Sequence, residues 1–168
     1  HPEGADPDLD LDDLEYQTST SQTLVQVKHS TNNTSISERS DELWKTVSRW
    51  AKVFNQLTQP NISFIFFTNK QLSKRSPLLS ELSKEAKDID ELCRQITILY
   101  DEIKSEDSLK AGEPSYKKAP LLNHFETIFT LAPPNLRRLL SNITLSTSNK
   151  QIQEQIKLKI KYFGINNP

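Results

Sequence analysis

DDLEYQTSTSQTLVQVK, residues 12–28, decides the fold. Thr18-Ser19-Thr20-Ser21 is turn material, because short hydroxyl side chains bond to their own backbone and stabilise a reversal. Thr23 to Lys28 alternates polar and apolar residues, the period-two pattern of a strand. The two flanking runs therefore read as one β-hairpin. Centring the turn between Ser19 and Thr20 sets Asp13 opposite Gln26, with Lys28 two residues further on the same face. Val25 and Val27 are then expected to point the other way, into a core.

The chain onward supplies a scaffold. Residues 1–11, with Pro2, Gly4 and Pro7, read as a loop-like lead-in, and 29–39 as a polar loop. Ser40 reads as an N-cap, with Asp41 and Glu42 in the first helical turn, where the macrodipole favours acids. A helix over 41–57 follows, with Leu43, Val47, Trp50, Phe54 and Leu57 as its apolar stripe. Trp44 and Trp50 are expected in the core. Lys45, Arg49 and Lys52 recur on another side and form a basic line, either a phosphate contact or a solvated helix face. Ile62-Ser63-Phe64-Ile65-Phe66-Phe67-Thr68 is a near-continuous apolar run, as in a central strand covered on both faces. The order strand, strand, helix, strand implies a parallel crossover and so a mixed sheet. Lys70 to Arg75 makes a basic connection near where open-sheet sites collect. A long helix is expected over 78–105, its stripe Leu82, Ala86, Ile89, Cys93, Ile96, Tyr100 and Ile103. Residues 106–119 read as loop. Helices over 120–131 and 135–141 flank a Pro-Pro break, and a peripheral strand over 143–147 precedes a last helix over 149–163, stopped by Gly164.

Size and charge bound the possibilities. The 168 residues suit a single α/β domain, taken here as spanning 1–168. Hydrophobic residues make up 35% of the chain and mean hydropathy is −0.62, so no membrane association is expected and the cytoplasm is the expected compartment. The single cysteine, Cys93, excludes an internal disulfide. Residues 1–16 hold seven of the 22 carboxylates and none of the 21 Lys and Arg. The remainder therefore carries 15 acidic against 21 basic residues, an excess of six positive charges. An acidic cluster beside a basic body fits a metal site facing a polyanion, and equally a solvated acidic tail. The chain begins at His1 and is read as a piece of a larger protein.

The hairpin suggests a chemistry. Phosphodiester hydrolysis needs a metal to neutralise the phosphate and lower the pKa of the attacking water. Mg²⁺ (or Mn²⁺) takes oxygen ligands and keeps several waters, so few protein donors suffice. Asp13 is the anchoring ligand in this reading. Gln26 offers a neutral carbonyl oxygen where the commoner site has Glu, and the backbone carbonyl of Val27 is a third donor. Asp12 or Glu15 are candidates to supply the charge missing at Gln26. Lys28 is placed to orient the water or stabilise developing charge. As a bare pattern, Asp-x12-Gln-x-Lys occurs in many hairpins, and an exposed strand face with ordinary charges produces it too.

Three blocks together are more specific: Asp12-Asp13 before a strand, Gln26-Val27-Lys28-His29, and Ser40-Asp41-Glu42-Leu43-Trp44-Lys45-Thr46 with Trp50. They resemble the PD-(D/E)xK endonuclease domain of CD-NTase-associated (CBASS) anti-phage effectors and related Lamassu-type defence nucleases. The likeness is clear over residues 12–70 and architectural over 120–164. It implies a restriction-endonuclease-like fold, a mixed sheet flanked by helices, and metal-dependent cutting of double-stranded DNA by Asp13, Gln26 and Lys28. His29 resembles the family's Lys-His pair, and Lys45 falls in a matching block; with Arg49 and Lys52 they are the candidate DNA contacts. The family's N-terminal helix is not seen before His1, nor the sensor or regulatory domain that normally follows. The chain is thus expected to be a cutting module regulated from outside, oligomeric when activated. Gln26 in place of Glu keeps open a nuclease fold that binds DNA or a partner domain without cutting. A purely structural module assembling through the 78–105 helix is a third reading.

Overall fold

The computed structural model describes residues 13–28 and 35–147. The lead-in 1–11 and the C-terminal helix expected over 149–163 lie outside the described residues. So do Asp12 and His29.

The hairpin forms with the expected register. Strand β1 (Asp13–Gln17) pairs antiparallel with β2 (Ser21–Lys28), and Asp13 sits opposite Gln26. The turn chemistry fixes this. Thr18 Oγ1 accepts from Ser21 N–H at 2.9 Å and Thr20 N–H at 3.3 Å, and Thr18 N–H donates to the Ser21 carbonyl at 2.8 Å. A slip by one residue would break these bonds and turn every β2 side chain over.

Helix α1 (Asp41–Phe54) carries the chain back, and β3 (Asn61–Thr68) then pairs parallel to β2. After α2 (Pro77–Ser83), α3 (Ile89–Lys110), α4 (Pro120–Ile128) and α5 (Pro133–Ser141), β4 (Ile143–Ser146) pairs parallel to the far side of β3. Among the described residues the result is a four-stranded mixed sheet in the order β1-β2-β3-β4. Among the described residues, the apolar run at Ile62 is an inner strand, as expected, and β4 is an edge; the expected covering by helices on both faces is seen on one, where Ile62, Phe64 and Phe66 meet the helical core.

One core joins α1 through α5 to one face of the sheet. Trp50 and Phe64 rings lie 5.1 Å apart, Trp44 and Phe125 4.7 Å apart. Leu43, Val47 and Phe54 complete the α1 stripe, and Trp44, Trp50 and Ala51 are buried with them. The helix stops at Phe54, so Leu57 packs from the loop beyond. Ser40 stands at the N-cap but its side chain makes no capping bond.

The single helix expected over 78–105 is two. Ser76 caps α2 by accepting from Leu79 N–H at 3.1 Å, and Asp88 caps α3 by accepting from Glu91 N–H at 3.1 Å. Between them the Glu81 carboxylate accepts from Asp88 N–H at 2.6 Å and Lys84 Nζ at 2.8 Å. The Lys84 bond, and then the Asp88 amide, hold the Glu81 carboxyl below its usual pKa. Restarting the helix shifts its buried line to Leu92, Ile96, Leu99 and Ile103. Ala86 is exposed, and Cys93 and Tyr100 are half-buried. Helix α3 also continues to Lys110, so the loop expected from 106 begins only at Ala111. Pro133 and Pro134 open α5 rather than break the chain, since proline lacks only an amide that the first turn leaves unpaired anyway.

Candidate functional site

Strand β2 runs between β1 and β3, so its residues meet partners on both sides. Gln26 is level with Asp13 on β1 and with Phe66 on β3. Paired residues share a face of the sheet, and Phe66 belongs to the core. By register, Asp13, Gln26 and Lys28 therefore share the face on which Phe66 meets the core. Val25 and Val27 do point the other way, as expected, but the face that meets the helical core is that of Gln26 and Phe66. Val25 is buried on the opposite face, Val27 is half-buried, and Gln26 is itself only 3% exposed. Both faces of β2 carry buried side chains, which alternation by itself does not show.

Burying an amide is costly unless both its ends are paired. Gln26 Nε2 has no hydrogen-bond partner among the described residues. Rotation by 180° about the last side-chain bond exchanges Nε2 and Oε1, so the same position can hold an oxygen donor. A buried oxygen beside a register-matched aspartate suits a hard cation. Asp13 carboxylate, Gln26 amide oxygen and Val27 carbonyl are all oxygen donors of the kind Mg²⁺ takes. Val27 follows Gln26 on β2 and is level with Phe67 on β3. Asp13 is placed here by its backbone register. Among the described residues, no three His, Cys, Asp or Glu side chains gather as a conventional metal cluster.

Glu15 is drawn elsewhere. Its carboxylate accepts a short hydrogen bond from Gln22 Nε2. Gln22 lies on the turn side of Leu24, the cross-strand partner of Glu15, whereas Gln26 lies on the other side.

Lys28 closes β2, level with the buried Thr68 at the end of β3. The chain just past this strand end meets the start of α1: Lys70 Nζ lies 3.7 Å from the Glu42 carboxylate. Thr68 Oγ1 accepts from Lys70 N–H at 3.1 Å and shapes that exit. Thr68, level with Lys28, is a part of the site region that sequence reading does not single out. An ordinary threonine at the end of an apolar run carries no distinguishing signal.

No family model, curated protein or solved structure matches this chain. On α1, Lys45 and Arg49 are half-buried and Lys52 is exposed. Lys45 follows the first turn at the Lys70–Glu42 end, while Lys52 is in the last turn. At 1.5 Å per residue the line spans roughly 10 Å along the helix. The three residues share a helical side but not one distance from Lys28.

The orphaned amide makes a prediction. Gln26→Met keeps the length and removes the Nε2 donor, which has no partner among the described residues. The substitution is expected to stabilise the metal-free chain by about 1–3 kcal/mol in urea unfolding. A loss of stability instead would mean that the amide is satisfied in solution and the site is not built for a ligand.

Proposed function

We propose that this chain is a PD-(D/E)xK endonuclease domain of restriction-endonuclease-like fold. In this reading it cuts double-stranded DNA with Mg²⁺ or Mn²⁺ as the effector module of a bacterial anti-phage system. The observation that carries the reading is the register of the hairpin. It sets Asp13 level with a buried Gln26 whose Nε2 has no partner among the described residues, with Lys28 two residues on at the end of a buried strand. The three-block resemblance supplies the substrate class.

Asp13 and the Gln26 amide oxygen would hold the metal, with the Val27 carbonyl as third donor. When bound, such an ion neutralises phosphate charge and acidifies coordinated water. Lys28 contributes an ammonium at the same strand end, where it orients the attacking water and offsets the negative charge that develops on the phosphate oxygens. Lys45 and Arg49, with Lys52 and His29, are the proposed backbone contacts, and the basic excess of residues 17–168 favours a polyanion. The domain is proposed to work in the cytoplasm, under a sensor or regulatory domain outside this sequence, and as an oligomer when activated.

One observation favours a second reading. Gln26 is neutral, so the site has one charge fewer than a Glu-bearing one, and a domain that binds DNA without cutting fits that deficit. Plasmid DNA separates the two. Mg²⁺-dependent nicking or linearisation is expected, abolished by EDTA and by Asp13→Ala. Cleavage that persists in both would remove the metal site. Tight duplex binding with no cleavage would select the second reading.

A further inference from the structure

We propose that the turn Ser73–Ser76, carrying Lys74 and Arg75, is a docking point for the phosphate backbone of duplex DNA. This deepens the nuclease reading by adding a contact surface beyond the strand ends, and rests on it for the identity of the polymer.

The turn is closed by Ser76 N–H donating to the Ser73 carbonyl at 3.4 Å, which puts Lys74 and Arg75 at its two central positions. Both side chains are exposed. The neighbouring cations are spent on structure. Lys70 meets Glu42, and Arg39 makes a two-pronged pair with Glu106 at 2.6 and 2.8 Å. Among the described ion pairs none involves Lys74 or Arg75. Two acids lie near the turn: Glu42 faces Lys70, and Glu38 accepts from Ser76 Oγ at 3.0 Å and keeps its charge, which Lys74 and Arg75 together outweigh.

The backbone under the two cations is held on both sides. Ile36 N–H donates to the Gln71 carbonyl and Ser73 N–H to the Ile36 carbonyl, each at 2.9 Å. This bridge pairs Leu72 with Ile36 and so ties the chain leaving β3 to the chain leaving β2. Ser76 then caps α2 and hydrogen-bonds Glu38. Presenting charges on an ordered turn lowers the ordering cost of binding. Lys offers a point charge and Arg a planar fork, both suited to phosphate oxygens. The turn lies past the C-terminal end of β3, whose last residue is level with Lys28.

The test is duplex binding by the full chain in EDTA, where no cutting occurs, titrated with salt. A 30-base-pair duplex of arbitrary sequence is the probe. Lys74→Gln/Arg75→Gln is expected to lower the slope of log affinity against log salt by about 1.8, and affinity at 0.1 M salt by several tens of fold, on the order of 60 relative to 1 M. The charge-preserving swap Lys74→Arg/Arg75→Lys should restore the slope. An unchanged slope in the neutral variant overturns the proposal, whatever cleavage shows. A reduced slope in a chain that never cuts leaves the docking point standing and removes the nuclease reading. A wild-type chain that does not retain duplex at low salt overturns both.

Discussion

Lys28→Ala is expected to reduce Mg²⁺-dependent plasmid cleavage by about 10²–10³-fold or more, the usual effect of removing one group that stabilises developing charge. Duplex binding in EDTA should fall far less, because Lys28 is one cation among several. Position makes the effect large. Lys28 ends β2 on the Gln26 face, two residues from the buried amide and level with buried Thr68. Lys28 is held in the β2 ladder, paired with β3 at Thr68, and is half-buried. Lys28→Arg should not recover the lost rate. A planar guanidinium is bulkier, cannot give up its proton, and directs its donors as a fork. Cleavage by Lys28→Ala at the wild-type rate would show that Lys28 serves the strand end only, and the assignment of Asp13, Gln26 and Lys28 as one site would fail with it.

Much of the hairpin is legible in the sequence because its determinants are local. Thr18 to Ser21 fix the loop by side-chain bonds to the next residues, and loop length with alternation then fixes Asp13 opposite Gln26. The α1 stripe and the Ile62 strand are legible for a similar reason, since periods of 3.6 and 2 are set by the backbone. What is not legible depends on competition between signals. Leu82, Ala86, Ile89 and Cys93 keep helical spacing straight through 84–88, and that periodicity hides the break. The contrary signal is present in Asp88-x-x-Glu91, an acidic cap with Glu three residues on. Its strength comes from Glu81, seven residues back, which binds the Asp88 amide. The face of β2 is hidden for a different reason. Alternation separates two faces but does not say which is buried when both are. Gln26 reads as an exposed polar residue, and only its pairing with Phe66 reveals the covered side.

Trp44→Ala is expected to destabilise the chain by about 3–5 kcal/mol in urea unfolding, from lost burial and the cavity left behind. Domains of this kind are stable by only about 5–15 kcal/mol, so the variant should be partly unfolded at 37 °C. Trp44 is fully buried and its ring meets Phe125 at 4.7 Å, joining α1 to α4. The indole also makes a polar contact, its Nε1–H donating to the Glu38 carbonyl at 2.7 Å. Glu38 in turn holds Ser76 through its carboxylate. One indole thus links the core, the connection into α1 and the turn bearing Lys74 and Arg75. Trp44→Phe separates these roles, since it keeps an aromatic ring against Phe125 and removes the N–H. Its cost should be smaller, with about 1–2 kcal/mol of it from the unpaired Glu38 carbonyl. If the turn depends on this anchor, Trp44→Phe should also weaken duplex binding while the chain stays folded. Wild-type binding by a folded Trp44→Phe chain would confine Trp44 to the core. A Trp44→Ala cost below about 1 kcal/mol would contradict the packing of α1 against α4.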